Sequence, residues 1–208
     1  DAAIAGGVES MSRAAYANLT QRWGQRMGDG KTIDMMVGAL TDPFDTMHMG
    51  VTAETVAKQC GIGREQQDAF AVESHRRAVA AIAAGHFKSQ ILPIELKSKK
   101  GPVINDAAAA VVLMEAGAAA KKGLKPMARL VSYGHAGIDP KIMGLGPVTA
   151  VKNALAKAGL KVSDIDVFES NEAFAVQALG VSKELGLDPA KVNPNGGAVA
   201  LGHPIGAT

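Results

Sequence analysis

The 208 residues carry 22 Lys and Arg against 20 Asp and Glu, a formal charge of +2, so the bulk balance offers no case for nucleic acid as a partner. Hydrophobic residues make up 47% with only 4% aromatic, enough for a core of Ala, Val, Ile, Leu and Met in one domain or two closely packed ones. The single cysteine excludes an intrachain disulfide and suits a reducing, cytoplasmic compartment, and no run of about eighteen apolar residues offers a membrane span. The chain starts without Met on a strand already in progress, and Gly206-Ala207-Thr208 opens a helix that does not follow, so both ends read as those of a piece of a longer protein.

In chain order, residues 2–5 predict a short buried strand, which Gly6-Gly7 breaks so that Glu9-Ser10-Met11-Ser12 forms a turn. From 13 to 31 the pattern dissolves into Arg22, Trp23, Gly24, Arg26, Gly28, Asp29 and Gly30, a loop that either covers something or meets another subunit. A helical pattern resumes at 33–40 and ends at Asp42-Pro43; Thr52 is placed to cap a helix over 53–59. Cys60 closes that helix at the end where the dipole opposes a thiolate, which assigns it a structural role rather than that of a nucleophile. The longest helix spans 64–84, with Gly63 as cap, Glu65 in the first turn and Gly85 as the left-handed exit. Its expected core stripe is Ala69, Val72, Val79 and Ile82, with Glu73, His75, Arg76, Arg77 and, beyond it, His86 facing water.

Residues 91–96 read as a strand, and 97–102 as a turn-rich break whose lysines form a solvated loop. A buried strand at 109–114, a short helix at 116–122 and a strand at 128–133 follow. Gly146-Pro147 starts a helix carried by Ala150, Val151, Ala154 and Leu155 to a stop at Gly159. After a strand at 165–168, Asn171 begins a helix through Leu185, with Gly186 as its exit. Such alternation predicts an α/β fold with a largely parallel sheet, whose sites gather at the carboxyl ends of strands, where Asn171 and His203 both stand.

Two stretches are poor as secondary structure and rich in chemistry. One is the polar knot Glu169-Ser170-Asn171-Glu172-Ala173-Phe174; the other is the run 193–208, in which Gly202-His203-Pro204 places a histidine on a stiff bend with its ring free. Each alone reads as a turn or a helix cap. Together, Asn171-Glu172-Ala173-Phe174-Ala175 and Asn193-Pro194-Asn195-Gly196-Gly197 through Thr208 resemble the paired active-site motifs of the thiolase family, the acyl-CoA C-acyltransferases. Gly6-Gly7-Val8-Glu9-Ser10-Met11-Ser12, His48-Met49-Gly50-Val51-Thr52-Ala53-Glu54 and Asp139-Pro140-Lys141-Ile142-Met143-Gly144-Leu145-Gly146-Pro147 also resemble thiolase segments. The resemblance covers nearly the whole chain, and 22–45 is most similar to bacterial β-ketothiolases.

The resemblance implies a layered α-β-α-β-α fold, only partly present. Residues 1–12 would end the N-terminal half, 13–102 would form an incomplete loop domain for oligomerisation and coenzyme A binding, and 103–208 a truncated C-terminal half. Thiolases also carry several dozen residues between the counterparts of Pro102 and of Ile104-Asn105-Asp106. The junction Val103-Ile104 is therefore either a deletion or two remote segments written as neighbours.

Claisen condensation and its reverse, thiolysis, need a thiolate to hold an acyl group, a base for an α-proton and donors for an enolate oxygen. By resemblance, His203 activates the nucleophilic thiol and then aims Nε2 at the thioester oxygen, while Asn171 holds a water as the other donor. Phe174, Met49, His48 and Leu40 would line the acyl and pantetheine channel. The two catalytic cysteines would lie upstream of Asp1 and downstream of Thr208. The implied partners are acyl-CoA and CoA as substrates, with no separate cofactor and no metal, and a homotetramer, a dimer of dimers, joined through 13–33. A β-ketoacyl synthase would carry histidine in place of Asn171, and thiolase-like lipid carriers usually replace the motif too. A non-catalytic remnant that binds CoA or pairs with a full subunit is the remaining alternative.

Overall fold

The computed structural model describes residues 2–95 and 105–208. Its core gathers on two helices, α2 (Met49–Cys60) and α6 (Ala175–Leu185), with the 3-10 turn Pro140–Leu145 laid against both. Val56 and Val181 are fully buried at the centre, each contributing about 1.5–3 kcal/mol by burial, and Ala53, Cys60, Leu145 and Val176 close around them. The helices approach this closely because Gly180 faces α2: a Cβ there would stand 3.1 Å from Leu145 Cδ2 and 3.3 Å from Val56 Cγ1. Helix α5 (Gly146–Ala158) flanks the group, with Val148 and Val151 partly buried on it.

Most helix limits fall where the sequence places them. Helix α3 runs Arg64–Ala84 from Gly63 to a left-handed Gly85, α5 ends at a left-handed Gly159 and α6 at a left-handed Gly186. The starts of α2 and α6 differ. Helix α2 begins earlier than expected, because the ring of His48 accepts from Gly50 N at 3.1 Å and caps it; Thr52 lies buried inside, its hydroxyl donating to Met49 O. Helix α6 begins at Ala175 rather than Asn171, because Phe174 is extended and Glu172 is held by distant partners. The short α1 (Met35–Ala39) is capped by Asp34, which accepts from Met36 N, and α4 (Ala116–Lys121) by Glu115, which accepts from Gly117 N and Ala118 N.

The strands depart further. β1 (Ala2–Ser10) runs straight through Gly6 and Gly7 and pairs antiparallel with β4 (Asp106–Met114), from Ala2 opposite Met114 to Ser10 opposite Asp106. Both strands expected to be buried are exposed, with Ile4 at 80% and Val112 at 70%. Inside the expected loop 13–31, β2 (Tyr16–Asn18) pairs antiparallel with β3 (Thr32–Asp34), which takes up the first residues of the helix expected at 33–40. No strand forms at 91–95 or 128–133, and 165–168 contributes one parallel bridge, Phe168 with Val192. Among the described residues the expected parallel sheet is thus reduced to that bridge. Apolar alternation marks a segment suited to a sheet, but a ladder forms only where a neighbour supplies matching N–H and C=O groups. The break at 97–102 and the Val103-Ile104 junction lie outside the described residues.

The long helix docks through a different face from the one its large residues suggest. Val72, Val79 and Ile82 are exposed, whereas Ser74, Ala78 and Ala81 are buried. Small residues let the backbone of Gly196 lie against α3, where a Cβ would stand 2.7 Å from Ser74 O and from Ala78 N. Arg77, expected in water, is partly buried: its guanidinium donates to Glu73, to Val192 O and to Pro189 O, tying the segment before Asn193 to α3. Hydrogen bonds from Arg76 and Arg77 hold the Glu73 carboxyl at about 2. His75 and His86 are exposed, and the His86 ring meets Asn195 Oδ1 at 2.9 Å.

Candidate active site

A cavity of about 670 Å³ opens between α2, α5, α6 and the segments 39–43, 168–174 and 203–205. Leu40, Met49, Met143, Val151, Phe174 and Ile205 make most of its wall apolar. Asn171, His203 and Glu169 supply polar groups on that wall. Five of the six residues singled out from sequence therefore meet around one space. His48 is not among the lining residues, its ring being spent on the cap of α2.

Asn171 and His203 are 32 positions apart in sequence, yet the amide Nδ2 stands 3.4 Å from both ring nitrogens. That is longer than a good N–H···N contact and equal on both sides, so the two groups are juxtaposed rather than spent on each other. The ring's firm contact is Nδ1 with Thr208 Oγ1 at 3.0 Å. The Thr208 hydroxyl also lies 3.1 Å from Pro204 O; when it donates its one proton there, Nδ1 donates in the ring contact and Nε2 keeps a free lone pair. Partial burial lowers the pKa of His203 below the ordinary 6.5, which keeps the ring neutral near pH 7. Burial first, and the charge of Glu172 second, push the Glu169 carboxyl up.

Behind the cavity wall lies a polar group that sequence reasoning missed. Glu172, 3% exposed, accepts from Ser74 Oγ at 2.7 Å and Val199 N at 3.1 Å on one oxygen, and from Asn193 Nδ2 at 2.8 Å on the other. Asn193, in the left-handed region at φ 44°, accepts from Ser170 N and donates to Ser170 O, both at 2.7 Å. The only signals for this in the sequence are that Glu172 adjoins Asn171 and that Asn193 opens the glycine-rich run. Cys60 is buried at the end of α2, packed into the core, and is not among the lining residues. Among the described residues no group of three or more His, Cys, Asp or Glu is placed to hold a metal ion, and no helix is long and apolar enough to cross a membrane.

Known proteins are similar to this chain over its full length. Beta-ketothiolase BktB of Cupriavidus necator is 56% identical over 246 residues, a span covering 100% of this chain and 62% of that protein. An acetyl-CoA acetyltransferase of Chromobacterium violaceum is 46% identical, covering 100% of the chain and 63% of the relative. The chain thus spans about three fifths of the length of the curated relatives it matches. The crystal structure of Bacillus anthracis acetyl-CoA acetyltransferase superposes with a TM-score of 0.94 at 41% identity, over 100% of this chain and 62% of that one. Human mitochondrial 3-ketoacyl-CoA thiolase superposes at 0.93 and 38% identity, with the same coverage. The family described as thiolase, N-terminal domain, matches residues 1–104, and that described as thiolase, C-terminal domain, matches 124–208. With both halves of one family matched in order along a chain that carries its fold, the protein belongs to the thiolase family.

Proposed function

We propose that the protein transfers acyl groups between coenzyme A thioesters, condensing two acyl-CoA molecules to a β-ketoacyl-CoA and cleaving it in reverse with CoA. The observation that carries this is the Asn171 amide beside the His203 ring on the wall of an otherwise largely apolar cavity. Nε2 of neutral His203 takes the proton of a cysteine thiol, and the thiolate attacks the acyl-CoA carbonyl, expelling CoA and forming an acyl-thioester on the protein. A second thiol gives its proton to the departing CoA thiolate and, itself now a thiolate, removes the α-proton of the next acetyl-CoA. The enolate oxygen then receives Nε2–H of His203 and a water held by Asn171, and the enolate carbon attacks the acyl group, freeing the first thiolate. Leu40, Met49 and Phe174 form the acyl channel.

Both thiols come from parts of the protein outside these 208 residues, because Cys60 faces the core, and the 208-residue chain alone is inactive. Assembly into a homotetramer uses 13–33, where Trp23 and Met27 stand out from the surface. The test is thiolysis of acetoacetyl-CoA by the complete protein, followed by loss of substrate absorbance. Turnover in wild type and its loss in His203→Ala support the reading. Binding of CoA without turnover by a correctly folded complete protein replaces it with a non-catalytic CoA-binding role.

A further inference from the structure

The geometry points to Glu172 as the positioning residue that fixes the Asn171 amide against the His203 ring. The inference rests on the proposed roles of those two residues and deepens them. Each donor sits on irregular chain, Asn171 just before α6 and His203 just after the four-residue helix α7 (Ala198–Leu201), so neither is held by a helix of its own. Helix α7 has no side-chain cap, since its N-cap is Gly197. Its start is anchored from elsewhere: Val199 N donates to Glu172 Oε2, and Gly197 N donates to Ser74 Oγ, which itself donates to Glu172 Oε2. The other carboxylate oxygen accepts from Asn193, whose amide is clamped to both backbone groups of Ser170. One buried carboxylate, covalently next to Asn171, thus holds the segment leading into Asn171 and the segment leading into His203.

The close fit at Gly197 belongs to the same device. A Cβ there would overlap the Glu172 carboxylate, 2.4 Å from Oε1 and 2.6 Å from Oε2, so the backbone of the His203 segment rests directly on the acid. Three protein donors converge on two oxygens, and an amide cannot serve them all. In Glu172→Gln, the NH2 faces either Val199 N–H or the Asn193 amide, donor against donor, and one of the two anchors is lost whichever way it turns.

The test compares the complete protein with its Glu172→Gln variant by kinetics and by crystal structure. The expected result is a kcat for thiolysis lowered about 10²-fold, with KM for CoA within about threefold, since the acyl and CoA walls are untouched while an oxyanion donor is misplaced. The crystal structure of the variant should show the Asn171–His203 separation widened from 3.4 Å to beyond about 4 Å, outside hydrogen-bond range. Val56→Ala serves as control, since Val56 is fully buried in the core and does not line the cavity: it should lower the melting temperature by at least as much and leave kcat within about twofold, because core loss alone does not move the donors. If Glu172→Gln does not fold, Ser74→Ala, which removes the two hydrogen bonds through Ser74 Oγ and leaves those from Val199 and Asn193, should fold and lose about tenfold in kcat. A folded Glu172→Gln with near-wild-type kcat, or Ser74→Ala without effect on kcat, overturns the inference. Absence of thiolysis in wild type overturns the proposed function instead, and the separation seen in the variant then decides the positioning role by itself.

Discussion

His203 has two tasks in the proposed reaction, and they can be measured apart. A thiol with an unperturbed pKa of about 8.5 is mostly protonated at neutral pH, so its alkylation by iodoacetamide reports the base alone. His203→Ala should slow both that alkylation and thiolysis, the latter by about 10² to 10³, whereas Asn171→Ala should slow thiolysis comparably and leave alkylation nearly unchanged. Equal alkylation rates in wild type and His203→Ala would remove His203 from the activating role. The depressed pKa sets a pH expectation with a definite sign. Because the folded value lies below 6.5, the unfolded chain binds more protons between the two values; this contribution to stability is complete above 6.5 and is lost as pH falls through the folded value. Thiol alkylation in the complete protein should follow the same limb, rising with an apparent pKa below 6.5; an inflection above it would mean that the ring is not desolvated as described. Cys60 tests the opposite case: Cys60→Ser places a hydroxyl in the core and should cost about 1–3 kcal/mol in urea denaturation, yet leave thiolysis within about twofold.

At the scale of elements, what could be read in the sequence depended on how local its cause was. The ends of α3, α5 and α6 were legible because a left-handed glycine acts on its own helix and needs no partner. The starts of α2 and α6 were not, since His48 as an accepting ring and Glu172 with its distant partners are tertiary choices. The docking face of α3 was misread for a related reason: periodicity marks the large apolar side chains, while contact was made through Ser74, Ala78 and Ala81. In the site, Asn171 and His203 were legible from residue types in a familiar order, but Glu172 had no signal of its own beyond adjoining Asn171. The α2–α6 contact can be tested at Gly180. Gly180→Val puts branched methyls where a single Cβ already stands 3.1 Å from Leu145, and should cost about 1–3 kcal/mol and lower the melting temperature; an unchanged temperature would show that the two helices are not this close.

For the molecule as a whole, the chain carries part of the fold of solved thiolases, spanning 62% of one such chain, while the strands that were expected to be interior stand at its surface. The β1–β4 ribbon is nine residues deep on each side, carries Ile4, Val8, Val111 and Val112 in the open, and within the described residues has no third strand on either edge. An apolar ribbon with no third strand on its edges among the described residues is a template on which further chains can add, so its consequence is colloidal. Solutions of the 208-residue chain should scatter light and brighten a hydrophobic dye increasingly as protein concentration rises. Val112→Lys should suppress both while leaving the far-ultraviolet circular dichroism unchanged, and equal scattering from variant and parent would place the stickiness elsewhere. Handling of this chain is thus governed by the open face of the ribbon, and a single charge on it is the change that should keep the chain dispersed.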